Sequence, residues 1–207
     1  MRELIIVISG PSGAGKTTLC QNLLSYHEGM KYSVSVTARP PRRGEIEGVD
    51  YYFVNEEEFE RMVMNEEFAE WAKVHGNHYG TKKKFLEDSL KEGYDVLLDI
   101  DVQGGIRLRE RYPETILIYV VPPSLEELEK RLYTRGVDDE ETIQRRLSNV
   151  REELGYLPKY DYLVITDEPE QVAAKTKIII AAEKYRVKRL SQELIRKFKI
   201  ECPPKNP

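Results

Sequence analysis

Eight residues near the amino terminus, Gly10-Pro-Ser-Gly-Ala-Gly-Lys16-Thr17, set three glycines, a lysine and a threonine at fixed spacing. They match G-x-x-x-x-G-K-[ST] without a mismatch. Glycines let the backbone turn its N–H groups inward around phosphate oxygens. The lysine reaches the β- and γ-phosphates of a nucleoside triphosphate, and the hydroxyl after it can ligate Mg²⁺. The expected ATP-binding set is Gly10, Pro11, Ser12, Gly13, Ala14, Gly15, Lys16, Thr17 and Thr18, with Mg²⁺ as cofactor on the Thr17 hydroxyl.

Such a loop holds a triphosphate without saying where a phosphoryl group goes. Arg39 and Arg42 stand three apart in a proline-rich stretch, and guanidinium forks suit phosphate oxygens bidentately. Tyr51 and Tyr79 add phenol donors. Plainer readings exist: a solvated surface charge for each arginine, sheet packing for each tyrosine. Asp99 and Asp101 end an apolar run, where open α/β sheets bind ligands. Carboxylates there must be hydrated, paired or near a metal ion, and Asp101 could equally cap a helix. Arg131, Arg135, Arg145 and Arg146 flank the acidic stretch 134–141, expected to be a mobile lid. Phosphoryl transfer needs positive charge and exclusion of water, which such a lid supplies.

These residues need elements to hold them. Strand-like runs (ELIIVIS, YDVLLDID, TILIYVV, YLVIT) alternate with helical stretches, the last running from Pro169 to Phe198. Runs apolar on both faces, alternating with helices, predict a parallel sheet. Ser124 with Glu127, and Asp138 with Glu141, fit capping boxes. Residues 32–83 break the alternation with short aromatic and β-branched runs around a helix, NEEEFERMVMN. They predict an inserted mixed sheet, with Trp71 in its core. A basic extension follows from 186 to 207.

The chain has 207 residues and a net charge of −4, enough for one sizeable core and a poor match to a general nucleic-acid binder. Two cysteines, Cys20 and Cys202, make no disulfide framework, and no apolar run reaches membrane-span length. The expectation is a cytoplasmic protein with no nucleic-acid or membrane partner.

SVSVTARPPRRGEIEGVDYYF, EFAEWAKVHGNHYGT and LLDIDVQG, taken with GPSGAGKT, closely resemble the guanylate kinase family over about residues 3–185. The resemblance implies an α/β P-loop three-layer fold: a central parallel sheet, an inserted mixed-sheet GMP-binding subdomain at 32–83 and a helical lid at 124–154. It implies ATP + GMP ⇌ ADP + GDP with Mg²⁺. Arg39, Arg42, Tyr51 and Tyr79 would hold the GMP phosphate. Glu70 would read the guanine donors, and Ser35 and Thr81 would be the hydroxyls near O6. Asp99 would lie near the acceptor, with Asp101 supporting the site. Arg135 and Arg146 would be lid arginines on the ATP phosphates and, with Lys16 and Arg39, the catalytic set; Arg131 and Arg145 are expected on solvated helix faces. Thr166 stands where the family commonly has asparagine near adenine, which leaves the donor base open.

Two other readings remain open at this point. One is a phosphopeptide-binding module of the same fold, although such modules typically degrade the P-loop, which is intact here. The other is a same-fold kinase for another phosphorylated acceptor. The expected assembly is a monomer or small homo-oligomer.

Overall fold

The computed structural model describes residues 3–74, 76–134, 140–189 and 197–198. The chain runs β1 (Ile5–Ser9), α1 (Lys16–Ser25), β2 (Met30–Tyr32), β3 (Val36–Thr37), β4 (Tyr52–Phe53), α2 (Glu56–Met64), β5 (Phe68–Val74) and β6 (Asn77–Lys82). It continues through α3 (Lys83–Lys91), β7 (Asp95–Asp99), α4 (Val102–Arg111), β8 (Ile116–Val121), α5 (Leu125–Thr134), α6 (Glu140–Leu154), β9 (Tyr162–Ile165) and α7 (Pro169–Lys184).

Five strands form one parallel sheet in the order β2-β7-β1-β8-β9. Strand side chains alternate between faces, so one apolar run feeds two cores. Leu4, Ile6 and Ile8 pack with Leu19 and Leu23 of α1 and with Val172 and Ile180 of α7. Ile5 and Val7 face the other way, with Leu86 of α3 and Leu108 of α4. This is the predicted three-layer α/β architecture, its sheet buried on both sides. The edge strand β2 was not apparent from sequence: Met30–Tyr32 is too short for a periodic signal, and its pairing with Asp95–Leu97 makes it a strand.

A second sheet, β4-β3-β6-β5, has mixed pairing and its own core of Val36, Phe59, Met62 and Phe68. Its helix α2 starts at Asn55, whose side chain accepts the Glu58 N–H at 2.7 Å. Trp71 corrects an expectation. It is 39 % exposed, not core. Glu70 points inward, so its strand neighbour must point outward, where it meets the edges of Phe59 and His78. A register shift between Phe68 and Glu70 lets Phe68 serve the sheet's core and Glu70 face the cleft.

Ser124 caps α5 by accepting the Glu127 N–H at 3.2 Å, half of the expected box, since the Glu127 carboxylate turns to Arg131. The Asp138–Glu141 box and most of the expected lid loop lie outside the described residues. The long final helix stops at Lys184 rather than running on. Beyond a turn at Tyr185, Arg189 folds back onto Glu183 and Glu114, interactions that a straight helix would not reach.

Candidate active site

Gly10 follows β1 at φ +150°, and a Cβ there would lie 2.1 Å from the Val120 carbonyl oxygen. Only glycine lets the loop pass this close to β8. Gly13 and Gly15 both take φ +89°, in the left-handed region. The loop therefore opens toward the carboxyl ends of the strands, with α1 starting at Lys16. The Lys16 ammonium donates to the loop's own carbonyls, Gly10 O at 2.8 Å and Pro11 O at 3.2 Å.

Two clefts flank this loop. The smaller, about 200 Å³, is lined by Gly10, Ser12, Lys16, Ser35, Arg39, Arg42, Tyr51, Glu70, Tyr79, Asp99, Asp101 and Glu153, among others. It gathers nearly every residue expected to handle an acceptor from four separate parts of the chain. Thr81 stands just behind it. Strand register sets Glu70 opposite Thr81, and the Thr81 hydroxyl donates to Glu70 Oε1 at 2.6 Å. That donor proton is directed at Glu70, so Thr81 orients the carboxylate. Burial pushes the Glu70 carboxyl up to about 7; the Thr81 bond and Arg107 oppose that rise, and Asp101 adds to it.

Asp101 is the helix cap that its plainer reading expected. It caps α4, accepting from Gln103 N at 2.8 Å and Gly104 N at 3.2 Å, and it lines the cleft. Gly104 makes room: a Cβ there would sit 2.8 Å from Glu70 Oε2 and 3.2 Å from Asp101 Oδ2. Asp99, ending β7, accepts from the Thr17 hydroxyl at 3.3 Å. Tyr51 covers the Arg39 guanidinium at 4.8 Å, and burial raises its phenol to about 12, so it stays a donor at neutral pH.

Glu153 of α6 was missed. It lines the cleft with Oε2 buried and unpartnered among the described residues, and burial lifts its carboxyl while Lys16 draws it down. No sequence pattern marks it, because it comes from a charged helix that reads as solvated.

The larger cleft, about 510 Å³, lies on the other side of the loop against Gly13, Gly15, Thr18, Lys130, Arg131, Thr134, Thr166 and Asp167. Here Arg131 overturns its expected solvated placement. It pairs with Glu127 at 2.8 Å and donates to Thr166 Oγ1 at 3.1 Å and Thr166 O at 2.8 Å. Thr166 in turn donates its hydroxyl to Val121 O at 3.0 Å. Arg135 lies outside the described residues; Arg146 falls in α6, and its side chain and that of Arg145 lie outside them too.

The mixed donor set, a glycine-lined phosphate loop between two clefts, has relatives. The guanylate kinase family model matches residues 2–183. A guanylate kinase of Caldanaerobacter subterraneus is 48 % identical over 186 residues, covering 90 % of each chain. One from Syntrophotalea carbinolica is 46 % identical, over 96 % of this chain and 94 % of its own. The crystal structure of guanylate kinase from Anaplasma phagocytophilum superposes with a TM-score of 0.78 at 36 % identity, covering 96 % of this chain and 97 % of that one. With its phosphate loop, its inserted sheet and nearly its whole length accounted for in this way, the chain belongs to the guanylate kinase family.

Proposed function

We propose that the protein transfers the γ-phosphoryl group of ATP to GMP, giving ADP and GDP. The observation that carries this is the buried Glu70 carboxylate facing the small cleft beside Arg39, Arg42, Tyr51 and Tyr79. One end of the cleft can accept hydrogen bonds and the other can give them. Guanine presents adjacent N1–H and amino donors, which suit a carboxylate, and GMP's phosphate suits the arginines and phenols. Ser35 is the hydroxyl left to donate to O6. Adenine lacks that donor pair, so AMP leaves Glu70 unmatched.

ATP lies along the loop, its base and ribose in the larger cleft and its terminal phosphate directed at the smaller one. Lys16 exchanges its loop carbonyls for β- and γ-phosphate oxygens. In-line transfer asks little covalent chemistry of the protein, so these residues position reactants and balance charge. The oxygen pair of Thr17 and Asp99 fits Mg²⁺, an ion that takes few protein ligands and completes its shell with phosphate and water. Bound there, it would neutralise charge between the β- and γ-phosphates. Among the described residues no cluster of three or more acidic, His or Cys side chains could hold a metal, so the phosphates would supply the remaining ligands. Arg135 and Arg146 complete the charge as lid arginines, a role resting on the sequence resemblance, as do the subdomain limits 32–83 and 124–154. A cytoplasmic location belongs to the same proposal; among the described residues no helix is long and apolar enough to cross a membrane.

An ADP-release assay over GMP, IMP and AMP, with and without Mg²⁺, tests this reading. Turnover dependent on GMP and Mg²⁺ supports it. Equal turnover with AMP, or none with GMP, overturns it.

A further inference from the structure

Arg39 has five N–H donors, most of them engaged within the protein. Its side chain is almost wholly buried. Nη1 donates to Glu45 Oε2 at 2.7 Å and to Pro40 O at 3.0 Å, Nη2 to Glu45 Oε1 at 2.6 Å, and Nε to the Tyr79 hydroxyl at 3.1 Å. Covalent geometry separates these into two edges. The end edge, one N–H from each Nη, is closed by Glu45. The side edge carries Nε–H, on Tyr79, and the remaining Nη2 N–H.

Glu45 also reaches the second arginine. Its Oε2 accepts the Arg42 backbone N–H at 2.7 Å, and its own N–H donates to Arg42 O at 3.1 Å. One carboxylate thus fixes the head of Arg39 and the backbone of Arg42. The Arg42 guanidinium itself makes no hydrogen bond or ion pair among the described residues, and it lines the cleft. Arg39 holds the Glu45 carboxyl below the usual range, so the grip persists at neutral pH.

We propose that Glu45 is a positioning residue of the acceptor-phosphate site, turning the side edge of Arg39 and the open fork of Arg42 toward the phosphate of a nucleoside monophosphate. It rests on the acceptor reading given above. The division of labour follows from the donor count. Arg39 contributes the edge that Tyr79 and Tyr51 flank, while Arg42 brings its whole fork. Glu45 touches no substrate. Without it, the buried Arg39 loses its partner and both arms lose their orientation.

The test is calorimetric titration of the full chain with GMP and with guanosine, for wild type, Glu45→Ala and the isosteric Glu45→Gln. Guanosine keeps the base and ribose but lacks the phosphate. Glu45→Ala should weaken GMP binding by roughly tenfold or more, in line with removing one partner of a buried charged pair. Guanosine binding and the KM for ATP should stay at wild-type levels. Glu45→Gln, which keeps one acceptor oxygen and the side-chain volume, should show a smaller loss of the same selectivity. Unchanged or tighter GMP binding would overturn the proposal, since the acid would then be a mere counter-ion. Equal losses for GMP and guanosine would overturn it too, by showing general damage to the subdomain. Wild type that fails to bind GMP would overturn the acceptor reading instead.

Discussion

Thr81 donates its hydroxyl proton to Glu70 across the β5–β6 ladder at 2.6 Å, and this bond orients a buried carboxylate that lines the smaller cleft. Burial raises that carboxyl to about 7. Guanine, however, needs it ionised, because a protonated oxygen cannot accept from N1–H. At pH 7 the empty site is therefore about half protonated, and GMP binding should release roughly half a proton. Calorimetry at pH 7 in buffers of different ionisation enthalpy measures this number. The sign is fixed: affinity for GMP should fall as pH drops below 7. The empty protein shows the opposite trend from this group. Its folded carboxyl binds a proton more tightly than the unfolded one, so its contribution to stability is present at low pH and is lost as pH rises from about 4.5 to 7. A binding profile flat from pH 6 to 8 would rule out Glu70 as the acceptor of guanine's protons.

Glu70→Gln should remove much of the preference for GMP over IMP. Thr81 holds the amide oxygen, which leaves the NH₂ group where guanine also presents donors. A site built to hydrogen-bond one base can lose discrimination of ~10⁴-fold or more when a partner is mismatched. IMP keeps N1–H and O6 but lacks the amino group, so the GMP/IMP ratio of kcat/KM reads this contact. ATP binding in the absence of GMP should hold steady. An unchanged ratio together with a lower melting temperature would make Glu70 a strand support only.

Much of this was legible in the sequence because the responsible signals are local. Gly10–Thr17 is contiguous, and the strands Ile5–Ser9, Asp95–Asp99 and Ile116–Val121 are apolar on both faces. What failed depended on distant partners. Met30–Tyr32 becomes a strand only through Asp95–Leu97. Trp71 turns outward because Glu70, displaced by a bulge, turns inward. Arg131 and Glu153 lie on charged helices, and only the fold brings one to Thr166 and the other to the cleft. Glu45 went unnoticed among ordinary surface acids, although it holds the arginines that the sequence had singled out.

Lys16→Ala should abolish transfer without unfolding the chain. The hydrogen bonds of the Lys16 ammonium go to the loop carbonyls Gly10 O and Pro11 O, so its loss breaks no salt bridge among the described residues; the charge it sets near Glu153 is all that the cleft gives up. Removing one preorganised electrostatic group costs ~100- to 1,000-fold in turnover. Near-normal kcat with an unaltered melting curve would sink the phosphate-loop assignment.

Gly104→Ala should act on the acceptor side alone. The new methyl carbon would lie 2.8 Å from Glu70 Oε2, closer than such atoms approach, and 3.2 Å from Asp101 Oδ2, a tight contact. Gly104 is helical, so alanine suits its backbone, and Asp101 is fixed as the cap of α4. Glu70 must therefore move. The KM for GMP should rise by about tenfold, the equivalent of one misplaced hydrogen bond to a charged group, with the KM for ATP unchanged. Steady-state kinetics in both substrates decide it, and matched changes in the two KM values would contradict the assignment of the clefts.

The donor base should be read far more loosely than the acceptor base. In the larger cleft Thr166 has little left to offer: its hydroxyl donates to Val121 O, and both its oxygens accept from Arg131. Its N–H donates to Val121 O at 2.6 Å. Asp167, the next polar group, is drawn to Lys175 at 3.0 Å. On the proposed reading the adenine edge would meet Leu19 and Val172 and, in Thr166 and Asp167, polar groups already engaged. An apolar pocket without hydrogen-bond readout discriminates one added or missing small group by only about 10- to 200-fold. The ATP/GTP ratio of kcat/KM should therefore fall well below the GMP/IMP ratio. Thr166→Asn, which adds a side-chain amide with both a donor and an acceptor, should raise the ATP preference while leaving the GMP/IMP ratio alone. Wild type that rejects GTP as sharply as it rejects IMP would show that some other group reads the donor base.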